Sequence, residues 1–257
     1  MLPLSTNSSY STAKSQLFRT MSTSRRWKYL KRILKFRHMD FEFALWQMLY
    51  LCVSPQKVYR NFHYHKQTKD QWARDDPAFL VLLSFWLCVS SIGFAIVLKL
   101  HFLGFIKFLL WVVFIDCIGC GLCIATVLWI VTNRYLRIPS TYNREQGVEW
   151  GYAFDVHLNA FFPLLIILHV VQLFCMQFII DHPWFISRFI GNTLWLIALV
   201  YYVYITFLGY SALPFLKNTV TLLYPPVLIV GVVYVVSLAI GWNISQSTMF
   251  FYRYRVL

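Results

Sequence analysis

Acidic side chains are scarce in this chain. Ten Asp and Glu stand among 257 residues, and charged residues of both signs make up only 13%. Between the charges run blocks of about 20 apolar residues, long enough to cross a bilayer as helices, so a soluble domain is excluded. The short alternating segments of a membrane barrel are lacking. The first 40 residues contain no apolar run, so no signal peptide is expected and the first membrane helix must itself target the chain. Six cysteines (Cys52, Cys88, Cys117, Cys120, Cys123 and Cys175) all fall within apolar stretches, which is no disulfide framework. Gly-x-Ser-x-Gly, His-Glu-x-x-His and a phosphate loop are missing. No internal repeat is evident, and five spans fit an inverted-repeat transporter poorly. No catalytic set, cofactor or metal site is expected.

What is present is an all-α pattern: a polytopic helical membrane protein with about five transmembrane helices and a basic cytosolic N-terminal region. Residues 1–24, rich in Ser and Thr, are expected to form a disordered tail, and residues 25–77 a basic amphipathic and interfacial region. A membrane domain follows over 78–252, with spans at 78–98, 108–132, 156–180, 189–213 and 220–242, and a lumenal tail over 253–257. The apolar run from Phe43 to Val53 is too short to span, and is expected at the interface or packed under the bundle. Asp76 and Pro77 mark a helix start, with Asp at the cap and Pro at the first helical position.

Fourteen of the 23 Lys and Arg precede residue 78. Across the five spans the basic residues divide eighteen to five, which puts the N-terminus in the cytosol and the C-terminus in the lumen. Asn243-Ile244-Ser245 is then a lumenal sequon, set too close to a helix end for ready modification. Within 25–37, Arg25, Arg26, Lys28, Lys31, Arg32, Lys35 and Arg37 interleave with Trp27, Leu30, Ile33 and Leu34. A basic amphipathic helix of this kind binds anionic lipid. Basic residues beside aromatics also suit RNA.

The stretch Val148 to Leu165 leads from a polar loop into an apolar block and carries Asp155, His157 and Asn159. Ionisable groups at membrane depth are costly and are functional candidates for that reason. Asp155 and Asn159, four apart, share a helical face; His157 points away from both. Asp155 has a second reading, as the N-cap of the helix. Asp116 is the only acid well inside a span, and Asp155 is its one conceivable acidic partner. His169, about 18 Å from His157 along a helix, is expected to belong to a separate place as a packing histidine. Cys117, Cys120 and Cys123, with Gly119 and Gly121 between them, read as a close-packing face rather than as ligands. His63 and His65 read as solvated interfacial residues.

Met39-Asp40-Phe41-Glu42-Phe43, Tyr59-Arg60-Asn61-Phe62-His63-Tyr64, the run from Lys66 to Pro77, the stretch Val148–Leu165 and the run from Phe207 to Thr219 carry a further signal. In these motifs the chain resembles the uncoordinated-50 family of Golgi membrane proteins, from about Trp27 to the C-terminus. The resemblance implies a five-span Golgi protein with a cytosolic N-terminus. It implies a role in the surface expression of nicotinic acetylcholine receptors and in placing Arf guanine-nucleotide exchange factors on Golgi membrane. It also implies, for a mammalian relative, RNA binding at the inner nuclear membrane. The expected function is therefore non-enzymatic trafficking, with an Arf exchange factor, nicotinic receptor subunits, anionic lipid and RNA as candidate partners. Lipid or ion handling along a polar path through Asp116, Asp155, His157 and Asn159 is the alternative.

Overall fold

The computed structural model describes residues 39–60, 72–74, 76–138 and 147–256. The basic segment 25–37, and His63 and His65, lie outside the described residues. Among the described residues the fold is helical, with five helices long and apolar enough to cross a membrane.

Helix α1 spans Phe41–Val53, α2 Ala78–Val97, and α3 the continuous rod Phe102–Leu136. Then come α4, Trp150–Ile180, and α5, Phe185–Ser211. A 3-10 turn, Thr219–Leu222, leads into α6, Tyr224–Ala239, and α7, Ile244–Val256, follows. The starts of α2, α4 and α6 and the ends of α3 and α5 gather at one end of the bundle.

The burial pattern explains the arrangement. In α2, Phe79, Leu83, Leu87 and Phe94 form one buried stripe at helical spacing, while Phe85, Val89, Ile92 and Ile96 are exposed. Exposed apolar side chains of this kind face lipid. The first half of α4 is buried nearly all round, from Tyr152 to Leu165. A helix buried on every side belongs in the middle of a bundle, and α4 packs against α1, α2, α3 and α5.

The end of α3 and the connection between α5 and α6 meet in a two-residue antiparallel bridge. Ile138 donates to the Phe215 carbonyl at 3.0 Å and Lys217 to that of Leu136 at 2.8 Å. Trp72 packs edge-on against both Tyr152 and Phe215 there, with ring centroids 6.1 Å away.

Several boundaries differ from expectation. α3 extends six residues before and four beyond the expected 108–132. α4 begins at Trp150, not Val156, so Asp155 is not its N-cap; Glu149 holds that position. At the start of α2, Pro77 is the cap residue and Ala78 the first helical one, while Asp76 Oδ1 accepts the Ala78 amide at 3.1 Å. α6 stops at Ala239, three residues short of Trp242. Gly241, with φ +77°, turns the chain there, and its carbonyl accepts from Arg188 at 3.1 Å. Residues 253–256 are not a separate tail but the last turn of α7, which packs back onto α3 and α5. The run 43–53 forms α1, which starts two residues earlier and crosses the bundle. Asp40, its cap, bonds Asp76 at the head of α2; Gln47 reaches Asn159 of α4; the carbonyls of Leu51 and Cys52 accept from Tyr201 of α5.

Candidate functional site

Two polar groupings flank α4, and the intramembrane candidates divide between them. On the face toward α1, Asp155 Oδ2 accepts the backbone N–H of Arg74 at 2.7 Å. The Arg74 guanidinium bonds Asn159 Oδ1 and lies over the Phe79 ring, 4.0 Å from its centroid. Gln47 donates to the same Asn159 oxygen at 3.2 Å, and Asn159 Nδ2 donates to the Tyr59 hydroxyl at 3.4 Å. Asp155 and Asn159 do share a face, as their spacing requires. Burial holds the Tyr59 phenol above its ordinary range, so it stays a neutral hydrogen-bonding group. This grouping fastens the segment before α2, and α1, to the central helix.

On the other face His157 joins α3 to α5. Its Nε2 lies 3.1 Å from the Cys117 carbonyl, which can only accept, so Nε2 carries the hydrogen. Nδ1 then accepts from the Tyr202 hydroxyl at 2.7 Å. Gly121 makes the approach possible: a Cβ there would stand 2.5 Å from the imidazole. The small-residue face of α3 is thus a packing face at this position. All six cysteines are free thiols.

Beyond His157 a cavity of about 290 Å³ opens between α3, α4, α5 and α7. Asp116 lines it and accepts from the Tyr252 hydroxyl of α7 at 2.8 Å. Asp116 and Asp155 therefore belong to different groupings and form no acid pair. Nor do the four candidates form one path: Asp116 and His157 line the cavity, whereas Asp155 and Asn159 bond on the opposite side of α4.

His169 also lines this cavity, so the expectation that it shares nothing with His157 is corrected. Twelve residues of unbroken α-helix would turn the two side chains about a third of a turn apart. Pro163 has no N–H to close a helical bond, and the backbone then runs as π-helix over Ile166–Val171. The wider turn absorbs about one residue of rotation and brings His169 into line with His157. His169 remains a packing histidine as well, its ring tilted at 57° against Phe94 with centroids 4.8 Å apart and bonded to Ser90 at 3.3 Å.

Sequence reasoning did not single out Arg74, Gln47, Tyr202 or Tyr252. Arg74 stands inside the quoted run from Lys66 to Pro77, but neither its spacing nor its charge names Asp155 as partner. Tyr252 is the last residue of the expected membrane domain, with nothing in the sequence to name Asp116 as its partner. Among the described residues no group of three or more His, Cys, Asp or Glu is placed to hold a metal.

The UNC-50 family profile matches residues 29–253. Protein unc-50 homolog of Danio rerio is 65% identical over 235 residues, covering 91% of this chain and 90% of that protein. The Homo sapiens protein of the same name is 63% identical over 235 residues, covering 91% and 89%. The Drosophila melanogaster one is 60% identical over 236 residues, covering 91% and 84%. No solved structure matches. A profile match over most of the chain, and relatives at this identity along nearly their whole length, make the conclusion direct: the chain belongs to the UNC-50 family.

Proposed function

We propose that the protein is a non-enzymatic scaffold of the Golgi membrane that acts in vesicular protein trafficking. In this reading it recruits Arf guanine-nucleotide exchange factors and supports the surface expression of nicotinic acetylcholine receptors. The end of the bundle holding the bridge at Arg137 and Leu216 faces the cytosol, together with the N-terminal region; the turn at Gly241 faces the lumen. The basic residues of 25–37 engage anionic lipid and the exchange factor.

The observation that carries the reading is how the buried polar groups are engaged. Asp155 and Asn159 hold Arg74 and α1 in place, and His157 joins two helices through both ring nitrogens. These bonds fix a shape and leave that cytosolic end braced as a platform. Charge reversal of Lys28, Lys31, Arg32 and Lys35 is expected to release the exchange factor from Golgi membrane. Unchanged recruitment at normal protein level would overturn the proposal.

A second reading, lipid or ion handling, draws on the cavity beside Asp116 and His157. It predicts that Asp116→Asn abolishes flux in reconstituted vesicles; equal flux removes it. RNA binding through residues 25–37, with the inner nuclear membrane as its location, is a weaker third reading. A sequence preference among RNAs is its readout, because both RNA and lipid binding fall with salt.

A further inference from the structure

Among the described residues, Asp116 is the only acid that lines the cavity between α3, α4, α5 and α7. It stands in the middle third of α3, Phe102–Leu136, away from both ends of the span. Unlike Asp155, it is not fully buried. Its Oδ2 accepts from the Tyr252 hydroxyl at 2.8 Å. The Trp111 indole N–H lies near the same carboxylate but makes no hydrogen bond. A carboxylate can accept about four, so most of this capacity is unused. No Lys or Arg lines the cavity, and Asp116 has no ion pair among the described residues. Arg255 of α7 lies over the Trp111 and Phe251 rings, 5.4 Å from each centroid, and not against the carboxylate. A carboxylate charge without a counter-charge in an apolar interior is costly.

The remaining lining defines what can supply that counter-charge. Ile124, Phe161, Leu164, Leu168, Leu199 and Met249 make most of it apolar. A bare metal ion needs several oxygen, nitrogen or sulfur ligands, and no group of three His, Cys, Asp or Glu is placed to give them among the described residues. A phospholipid would bring its phosphate against the Asp116 carboxylate. A neutral lipid would leave the charge unanswered. The rings of Phe94, Tyr202 and Tyr252 on the lining suit an organic cation. The volume, about 290 Å³, is at the lower edge of the range of about 300–1,000 Å³ for small-molecule sites. That is room for one chain and not for two. Cys120, also on the lining, is exposed on α3, so the cavity reaches the lipid-facing surface there and a longer chain can extend out of it.

We infer that this cavity binds a single-chain cationic amphiphile, a primary amine without a phosphate, whose ammonium donates to the Asp116 carboxylate and whose chain lies in the apolar part of the lining. Such an amine is charged at neutral pH, as the lysine side chain is. A hydrogen bond between ions is about twice as strong as one between neutral groups, and more so away from water. A sphingoid base and a simple alkylamine share this chemistry. The inference goes beyond the trafficking reading and does not depend on it. It gives the lipid-handling reading a ligand class, but it requires binding and not movement. Saturable binding without flux would uphold it while removing that reading.

The test uses the full-length protein in phosphatidylcholine nanodiscs, with empty nanodiscs as background and tritiated sphingosine and tritiated octadecylamine as separate probes. Saturable binding of either is expected; the tighter probe identifies the source of the amine. Asp116→Asn keeps an oxygen to accept from Tyr252 and removes the charge with little change of shape. It is expected to weaken binding of the amine about tenfold or more, the effect of one lost charge-assisted hydrogen bond. Octadecanol, with the same chain and no charge, should bind wild type more weakly than the amine does, and should bind both proteins equally. Thermal unfolding of the two proteins shows that the variant is folded.

Variant-free evidence comes from a photoreactive analogue of the bound amine on the wild-type chain. Labelling between Phe161 and Leu168 of α4, or at Leu199 of α5, is expected. Labelling only on the exposed face of α6 would overturn the inference. So would the absence of saturable binding, equal affinity of the amine for wild type and the folded Asp116→Asn protein, or binding of octadecanol as tight as that of octadecylamine.

Discussion

The carboxylate of Asp155 accepts the backbone N–H of Arg74 at 2.7 Å, across 81 residues of sequence. Through it the segment entering the first span is tied to the middle of the bundle. Asp155→Ala removes the acceptor and leaves the half-buried amide without this bond. A loss of about 1–3 kcal/mol is expected. Asp155→Asn keeps an acceptor oxygen and should lose less. Thermal unfolding in detergent measures both, and trypsin cleavage after Arg74 should become faster in the Ala variant. Equal melting of all three proteins would refute the role.

Gly121 and His157 are in mutual contact, so Gly121→Ala must push the imidazole off the Cys117 carbonyl or part α3 from α4. Overpacking of this kind costs about 1–3 kcal/mol. His157→Ala makes room for the added methyl. The double variant should therefore be more stable than the sum of the two single losses predicts, which a double-mutant cycle reads directly. Additive losses would contradict the contact.

Tyr252 brings α7 to Asp116. Tyr252→Phe takes away the donor and should destabilise the protein by about 1–3 kcal/mol. In the background of Asp116→Leu, where no carboxylate remains to be satisfied, the same change should cost much less. If Tyr252→Phe is equally harmful in both backgrounds, the hydroxyl acts elsewhere.

Asn243 offers a sequon that the fold closes. Its side chain is buried, with Nδ2 donating to Ser187 at 3.4 Å and Oδ1 accepting the Gln246 amide at 3.1 Å. A glycan on Nδ2 cannot be accommodated there. Digestion with an N-glycosidase should leave the gel mobility of the protein unchanged, as should Asn243→Gln. A mobility shift abolished by Asn243→Gln would show the site to be open.

The five spans were legible because apolar blocks of the right length are a strong signal. The misplaced starts of α3, α4 and α5 share a cause: a polar side chain (Lys107, Asp155 or Arg188) falls inside the helix where residue spacing alone puts it in solvent. Asp155 is the clearest case. It marks a loop if its surroundings are unknown and a helix interior once Arg74 is beside it. Arg188 likewise sits in the first turn of α5 because the Gly241 carbonyl is there to receive it. The shared face of Asp155 and Asn159 was visible from spacing alone, and so was the divergence of His157. The common cavity of His157 and His169 was not, since it depends on a change of helical pitch that residue spacing assumes away. α7 was hidden by hydropathy, which runs through Gly241 without registering its turn. The close-packing role of the small residues on α3 was visible in outline, but Gly121 could not be matched to His157 before α4 was placed.

The brace formed by α1 bears on how the protein is made. Its contacts lie on α2, α4 and α5, so its partners are completed only when the chain has been translated as far as Tyr201. Until then Gln47 lacks Asn159 as its partner, and the apolar face of α1 waits uncovered beside the growing bundle. Of the described helices, the first to leave the ribosome is therefore among the last to be seated. An error in α4 or α5 leaves that helix without the partners that cover it.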